Sequence, residues 1–499
     1  MELPEILAGV EVASVKGPAD VEVRSIIYDS RKAAPGAMFF AFKGEKLNGL
    51  EFVADAIRGG AVAIASEQPR LAGSPEEIAW VQVMPGSERR SLASAASNFY
   101  GHPADALKLT GVTGTNGKTT ISFIVDSILR AAGFTTGFIG TTGYRTPQGS
   151  RKAVNTTPES LDLQEMFAEV RDAGGTHAVL EVSSHSLAME RVWGCHFAVA
   201  IFTNLTRDHL NFHKTFEDYF AAKRRLFEGM GAGAPDVAVI NSDDPWATRL
   251  EGLAKRTFTY GLQGEPDLTT KKFKLSFDGL EFTAETPAGK VEVRSSLVGT
   301  INVYNILAAI GAGIGLQIPI RKIEEGIANL ALVPGRFQRI DEGQPFLVVV
   351  DYAHADDAMR NLISTARELN PAGRIITVFG AGGERDRSTR PLMGEASGSL
   401  SDLVILTNDN PRSEDPLRII NDVVVGLQKV NANYRIEPDR EAALEIAIEE
   451  ARPGDIVLLA GKGHENSQIL RDRTFEFDDR EKARAILRRK GYSKKRAGQ

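Results

Sequence analysis

Apolar residues along the chain fall into short runs and spaced stripes, separated by stops rich in glycine and proline. Leu107-Lys-Leu-Thr-Gly-Val112 reads as a short strand, and Ile121, Ile124, Val125, Ile128 and Leu129 then recur at helical spacing. Gly133 falls where a C-terminal cap belongs. Upstream, residues 1 to about 97 predict short strands at Val21–Ile27, Ala37–Ala41 and Ala61–Ala65 and a helix near Glu51–Arg58. A stripe of Leu92, Ala95, Phe99 and Tyr100 marks a second helix, which ends at the turn Gly101-His102-Pro103. From about 98 to 335 strands alternate with helices, as a mostly parallel sheet requires, until Val333-Pro334-Gly335-Arg336 interrupts them. Beyond that, the apolar strands Phe346–Val350, Ile375–Phe379, Leu403–Leu406 and Ile456–Leu459 each run into a polar, sharply turning loop. Ligands of open α/β sheets gather at the carboxyl ends of the strands, so all four loops should share one edge. The expected architecture is α/β in three domains: 1–97, 98–335 and 336–499.

At 499 residues the chain is long enough for several buried cores. Its 59 basic and 65 acidic residues leave a formal charge of -6, which argues against nucleic-acid or membrane-surface binding. Anionic ligands must then be met by locally placed lysine, arginine and magnesium. Cys195 is the only cysteine, so there is no disulfide framework and no cysteine metal cluster; a small buried hydrophobe is expected there. The N-terminus has no basic region followed by a long apolar run, and no stretch approaches a membrane span. No membrane insertion and a cytoplasmic location are expected. The basic residues Arg488–Lys490 and Lys494–Arg496 read as a solvated end rather than a binding patch.

Between the predicted strand and helix lie Gly114, Thr115, Asn116, Gly117, Lys118, Thr119 and Thr120. Glycines let backbone N–H groups turn toward an anion, and the helix N-terminus adds unpaired donors and a favourable dipole. Lys118 would reach the terminal phosphates of ATP or GTP, and the Thr119 hydroxyl would sit on magnesium. Val112 stands where the usual motif has its first glycine, so the loop is tighter. Downstream, Ala178-Val-Leu-Glu-Val182 and Val199-Ala-Ile-Phe-Thr-Asn-Leu-Thr-Arg-Asp-His209 are strands ending in Glu181 and His209. In a domain with a phosphate loop, these can meet the ion. In the helix Phe216–Phe227, Lys223 lies on the stripe of Phe216, Tyr219, Phe220, Leu226 and Phe227, whereas Arg224 and Arg225 point elsewhere as surface charges. Periodicity alone favours a snorkelling Lys223. The sharper expectation is a neutral amine that takes up carbon dioxide, giving a carbamate (N6-carboxylysine) as an oxygen ligand for a second magnesium.

Gly114-Thr-Asn-Gly-Lys-Thr119, Glu181-Val-Ser-Ser-His185, Thr203-Asn-Leu-Thr-Arg-Asp-His209, Ala222-Lys223 and Asn302-Val-Tyr-Asn305 together resemble the Mur ligases of peptidoglycan synthesis. The likeness runs from Tyr28-Asp-Ser-Arg31 to Phe477-Asp-Asp-Arg480. It implies a UDP-binding N-terminal domain, a central P-loop-type ATPase and a Rossmann-like C-terminal domain that brings an amino acid. By position, Lys118 and Thr119 would hold the ATP phosphates and one magnesium, with Glu181, His209 and carbamylated Lys223 as metal ligands. Asn305 would contact adenine, and Arg336 and Asp351 would complete the nucleotide site. Ser30, Thr156, Thr157, Ser183 and Arg191 match positions that hold the UDP-muramoyl dipeptide. Arg390, Asp409, Asn410, Pro411, Arg412, Gly461 and Glu465 match the amino-acid pocket.

The run Asp409-Asn-Pro-Arg412 resembles members that add meso-2,6-diaminopimelate to UDP-N-acetylmuramoyl-L-alanyl-D-glutamate with ATP through an acyl phosphate. Arg412 would pair with the extra carboxylate of diaminopimelate, and Asp409 or Asn410 with its ammonium. A monomer is expected. The chain departs from the family pattern at Asn48-Gly-Leu-Glu-Phe52, at Met189 and at His354-Ala-Asp-Asp357. Two other readings stay open. A folylpolyglutamate synthetase shares the ATPase core but would lack Asp29-Ser-Arg31 and the Asp409–Arg412 run, and a nucleotide-dependent switch needs no second metal site.

Overall fold

The computed structural model describes residues 1–44 and 47–493, so Lys494–Arg496 lie outside the described residues. The first sheet comprises β1 (Val12–Lys16), β2 (Ser25–Ile27), β3 (Ala37–Phe40), β4 (Ala61–Ser66) and β5 (Ala79–Val83), in the order β1-β5-β4-β3-β2. All its pairings are parallel except that of β1 with β5. The strand expected over Val21–Ile27 enters this sheet only from Ser25. The segment before it spends its hydrogen bonds on the N-terminus, through Leu3 N to Val21 O at 2.9 Å and Val23 N to Met1 O at 2.9 Å. The helix expected near Glu51–Arg58 begins as a 3-10 turn, Gly49–Phe52, and becomes α-helical at Val53–Arg58.

The helix Glu88–Phe99 runs through residue 97 and buries Leu92 and Ala95. The second sheet follows it, with β6 (Lys108–Thr113), β7 (Thr136–Gly140), β8 (Gly143–Thr146), β9 (Gly149–Arg151), β10 (His177–Glu181), β11 (Phe197–Phe202), β12 (Val237–Asn241) and β13 (Arg256–Tyr260). Their order is β13-β12-β11-β6-β10-β7-β8-β9, parallel up to β7 and finished by an antiparallel hairpin. The helix Lys118–Ala131 buries Ile121, Ile124, Val125, Ile128 and Leu129 together with Val112 and Val179 of the sheet. Each such side chain removed from water stabilises the fold by about 1.5–3 kcal/mol. Gly133, with φ of 90°, ends the helix where the stripe stops.

Strict alternation of strand and helix does not hold to residue 335. An antiparallel sheet of β14 (Phe273–Ser276), β15 (Gly279–Thr286) and β16 (Gly289–Ser295) intervenes. In β16 Val291, Val293 and Ser295 are buried while their neighbours are exposed, the two-residue period of a half-covered sheet.

The third large sheet orders β17 (Gln338–Ile340), β18 (Leu347–Asp351), β19 (Ile375–Phe379), β20 (Leu403–Leu406), β21 (Tyr434–Ile436) and β22 (Ile456–Ala460) as β17-β18-β22-β19-β20-β21. Only β17 runs antiparallel. The register pairs Asp351 with Ala460 and Phe379 with Leu406, so the loops after β18, β19, β20 and β22 do leave one edge. A hairpin of β23 (Ser467–Ile469) and β24 (Thr474–Glu476) folds over that edge. Among the described residues no helix is long and apolar enough to cross a membrane.

Candidate active site between the second and third sheets

β6 is central in its sheet, and the loop it feeds needs its glycines. A Cβ on Gly114 would lie 1.8 Å from Thr203 Oγ1, and one on Gly117 would lie 2.6 Å from Asn305 Oδ1. Both glycines have positive φ, 144° and 91°. The loop is pinned from β11: Thr115 N donates to Asn204 O (2.9 Å), Asn116 N to Asn204 Oδ1 (2.9 Å), and Thr203 Oγ1 to Asn116 O (2.6 Å). Lys118 Nζ curls back onto the Gly114 and Thr115 carbonyls at 2.9 and 2.8 Å. Burial lowers its pKa, against the pull of Glu181 and Asp208.

Glu181 ends β10 with 1% of its surface exposed. Its carboxylate accepts hydrogen bonds from Thr119 Oγ1 (2.9 Å), Thr141 N (2.9 Å) and Thr141 Oγ1 (3.0 Å). Lys223 does not snorkel. It is 1% exposed, donates to Gly114 O at 2.8 Å and lies 4.4 Å from the centre of the Tyr219 ring. Burial, and then Lys118, push its pKa well below the ordinary value. It shares the Gly114 carbonyl with Lys118.

His209 sits in the left-handed region (φ 54°), with Nε2 3.4 Å from Asp208 Oδ2 and its ring 4.6 Å from that of His185. Burial and then His185 hold the imidazole neutral, with a lone pair available. No group of three or more His, Cys, Asp or Glu side chains among the described residues is gathered for a metal. The oxygen and nitrogen donors at hand are Thr119, Glu181, His209 and the Lys223 amine. Of the two flanking arginines, Arg224 pairs with Glu228 at 3.0 Å. Arg225 is no ordinary surface charge: it ties its helix to Glu190 at 2.7 Å and to Leu187 O at 2.8 Å.

The third sheet closes the site. Arg336 Nη2 donates to Thr119 Oγ1 at 3.1 Å, and its guanidinium lies over the Tyr352 ring at 4.8 Å. Asp351 accepts from Phe337 N (2.7 Å) and Ala353 N (2.8 Å), which fixes the crossing from one domain to the other. Asp357, at the start of the helix Asp356–Leu369, takes hydrogen bonds from Asn116 Nδ2 (2.8 Å) and Thr206 Oγ1 (3.2 Å). Between these parts lies a cavity of about 490 Å³. The loop Thr115–Thr120, Glu181, His209 and Lys223 line one wall, and Ser296–Val298 with Asn302 and Asn305 another. Arg336, Asp351, Tyr352, His354 and Arg385 line the third.

Thr156 and Ser183 line this cavity, and Thr157 and Arg191 are bonded to this group without being part of the lining. Thr157 Oγ1 donates to Glu181 O (2.8 Å) and accepts from Ser183 N (3.1 Å); Arg191 Nη1 donates to Thr157 O (2.9 Å). Thr156 Oγ1 lies 3.1 Å from Thr141 Oγ1. Glu159 links Arg191, at 2.9 Å, to Arg89 beside the first sheet, at 3.0 Å. Ser30 opens a 3-10 turn, Ser30–Lys32, and is not part of the cavity lining.

The expected amino-acid set divides. Arg390 is 1% exposed, and its Nη1 and Nη2 are engaged by Glu414 (2.8 Å), Asp422 (2.9 Å) and Gly382 O (3.2 Å). Asp409 faces Lys462 at 3.3 Å. Asn410 Oδ1 accepts from Lys462 (3.1 Å) and Ile469 N (3.0 Å), and its Nδ2 donates to Glu465 at 2.9 Å. Asn410 is thus held at both of its amide atoms, whereas Asp409 Oδ1 has no hydrogen-bond partner among the described residues. Pro411 packs its carbonyl against Gly383, and Gly461 lies beside Asp409. Arg412 makes no ion pair with Glu414 or Asp415; its Nη1 rests on Gly383 O at 2.5 Å. Arg385, five residues before Arg390, lines the cavity, which Arg390 does not. It stands in the loop that follows Ile375–Phe379, so loop position identifies it where a single-residue match does not. Asp208, Tyr352 and Asp357 also belong to the site without having been expected there.

The description "Mur ligase family, catalytic domain" matches residues 22–100, "Mur ligase middle domain" 112–313, and "Mur ligase, glutamate ligase domain" 335–463. The chain is 53% identical over 496 residues, 99% of each chain, to the UDP-N-acetylmuramoyl-L-alanyl-D-glutamate–2,6-diaminopimelate ligase of Solibacter usitatus. It is 42% identical over 493 residues, 98% of this chain and 99% of the other, to the protein of the same name from Geobacillus thermodenitrificans. A solved structure of a ligase of that name superposes with a TM-score of 0.67 at 32% identity, covering 99% of this chain and all of its own. The MurF ligase of Thermotoga maritima in complex with ADP shares the fold, with a TM-score of 0.63 at 21% identity, covering 88% of this chain and 94% of its own.

Proposed function

The chain belongs to the Mur ligase family, and we propose that it joins meso-2,6-diaminopimelate to UDP-N-acetylmuramoyl-L-alanyl-D-glutamate with ATP, in the cytoplasm and as a monomer. The observation that carries this reading is Arg336 on Thr119: it sets the third domain, through Asp351, Tyr352, His354 and Arg385, against the phosphate loop around one cavity. Working domains of 1–97, 98–335 and 336–499 then hold the three substrates, with the linking helix Glu88–Phe99 straddling the first division.

A carboxylate does not acylate an amine at neutral pH. The γ-phosphoryl group therefore moves to a carboxylate oxygen of the dipeptide, leaving ADP and an acyl phosphate. The amine lone pair attacks the acyl carbon, phosphate departs with the C–O bonding pair, and the new amide loses a proton. Gly114 through Thr120 cradle the phosphates, Lys118 and Arg336 set cations on the transferring group, and Asn305 and Asp351 hold the rest of the nucleotide. Thr119 and Glu181 would hold a magnesium ion, and His209 with a carbamate on Lys223 a second. The chemistry such ions supply is neutralisation of phosphate charge. The donor set fits. Glu181 is a buried carboxylate with no ion pair among the described residues, the His209 imidazole is held neutral, and Lys223 is a buried amine whose pKa is pushed well down toward the form that adds carbon dioxide.

Thr156, Thr157, Ser183 and Arg191 hold the dipeptide, with Ser30 on the uridine side. Arg385 and Arg412 take the carboxylates of diaminopimelate within a frame of Asp409, Asn410, Pro411, Gly461 and Glu465. The test is a panel of amino acids offered with the UDP-muramoyl dipeptide and ATP, read as released phosphate. Efficient ligation of meso-diaminopimelate and very poor ligation of L-lysine is expected, since lysine would leave a guanidinium unpaired, worth about a hundredfold. Equal use of both would overturn the choice of substrate.

A further inference from the structure

Beneath the amino-acid loops lies an ion pair that takes no part in the chemistry above. Arg440, the first residue of the helix Arg440–Glu450, and Asp479, the first of Asp479–Arg489, are both completely buried. Arg440 Nε and Nη2 grip the two Asp479 oxygens at 2.8 and 2.6 Å. The same guanidinium spans two carbonyls, Ala460 O at 3.0 Å from Nη2 and Asn408 O at 3.3 Å from Nη1. These carbonyls directly precede Gly461, the first residue after β22, and Asp409, in the loop after β20.

The position is costly for a cation. A positive charge in the first turn opposes the helix dipole, and a buried ion pair is no more stable than well-packed apolar residues of the same size. What apolar residues cannot do is hold the ends of β22 and β20, which flank β19, at one spacing through a planar fork of donors. Above the fork, Lys462, also completely buried, carries the spacing upward. Its Nζ meets Asp409 (3.3 Å), Asn410 Oδ1 (3.1 Å) and Ser467 O (2.7 Å). Asn410 in turn orients Glu465, and Gln468 Nε2 donates to Asp409 O at 2.7 Å. Burial raises the pKa of Asp409, but Lys462, Arg440 and Arg385 outweigh it and keep the carboxylate charged.

We propose that Arg440 is a positioning residue for amino-acid selection: by clamping Asn408 O and Ala460 O it sets the separation of the Asp409–Arg412 and Gly461–Glu465 loops. The inference rests on the proposed function, which makes those loops the amino-acid pocket. Arg440→Lys keeps the charge but cannot span both carbonyls. Arg440→Met with Asp479→Leu removes both charges and refills the core. Steady-state kinetics with each substrate varied in turn, alongside a melting curve, tests both variants. In both, KM for meso-diaminopimelate should rise at least tenfold and the preference over L-lysine should shrink, while KM for ATP stays within about twofold. The paired variant should melt near the unmodified protein and still show the raised KM, which a purely structural role would not produce. A paired variant with native KM for the amino acid, or KM values that rise together for all substrates, overturns the inference. Failure of the unmodified protein to use meso-diaminopimelate overturns the proposed function instead, and is read before any variant is made.

Discussion

Lys223 shows how one residue's meaning depends on its surroundings. On periodicity it is a lysine on an apolar stripe; in the fold it is a fully buried amine under the phosphate loop, its pKa pushed well down by burial. Lys223→Ala is expected to reduce ligation by at least about a hundredfold while ATP still binds, with partial rescue by short carboxylic acids that supply the missing oxygen. Near-native turnover would remove it from the site. Lys118→Ala should cost about 3–4 kcal/mol of transition-state stabilisation, as loss of a preorganised charge does, with little change in calorimetric affinity for the dipeptide. His177 is separate from the chemistry. It is buried at the start of β10 against Phe134, its Nδ1 2.8 Å from Thr176 Oγ1. Burial and then Lys108 lower its pKa to about 4. The unfolded chain therefore binds the extra proton between about pH 6.5 and 4, and stability falls as pH drops through that window. The cost is about 2 kcal/mol at pH 5 and close to none at pH 7. Urea titrations should show His177→Leu losing less stability than the unmodified protein between pH 7 and 5.

Elements matter here mainly through where they end. β6, β10 and β11 stop beside one another and deliver the phosphate loop, Glu181 and the Thr203–His209 segment to one place. The loop after β19 separates two arginines five residues apart into different roles. Arg390 lies on the helix Thr389–Leu400, closed off by Glu414 and Asp422, whereas Arg385 opens to the cavity. Arg385→Ala should raise KM for diaminopimelate at least tenfold with an unchanged melting temperature. Arg390→Ala should instead lower stability by about 2–3 kcal/mol, somewhat less than for a fully buried pair because its partners are partly exposed. The reverse pattern in paired kinetic and melting measurements would exchange the two assignments.

For the molecule as a whole, the decisive contacts cross between domains. Arg336 on Thr119 and Asp357 on Asn116 and Thr206 draw the third sheet onto the phosphate loop. Turnover requires nucleotide to enter and leave, so these links must break and re-form. Small-angle scattering of the nucleotide-free double variant Arg336→Ala, Asp357→Ala should report a larger radius of gyration than the unmodified protein. An unchanged profile would mean that closure is held elsewhere, for example by Thr300 on Glu368.

Local order was legible in the residues themselves. The glycine loop into Lys118–Ala131, the inward stripe carrying Lys223 and the four strand-to-loop repeats of the third sheet depend on period, capping and backbone freedom, which act over a few positions. The antiparallel sheet Phe273–Ser295 was not anticipated, because its short half-covered strands carry little apolar signal of their own. Nor was the shortening of Val21–Ile27, where the N-terminus competes for hydrogen bonds. The partners of each charge were decided only by tertiary structure. Whether Arg390 meets a substrate or Glu414, and whether Asn410 is free or held by Lys462, depends on groups dozens of positions away. In a buried setting a charge goes to whichever counter-charge the packing brings within reach, and pattern along the chain does not encode that distance.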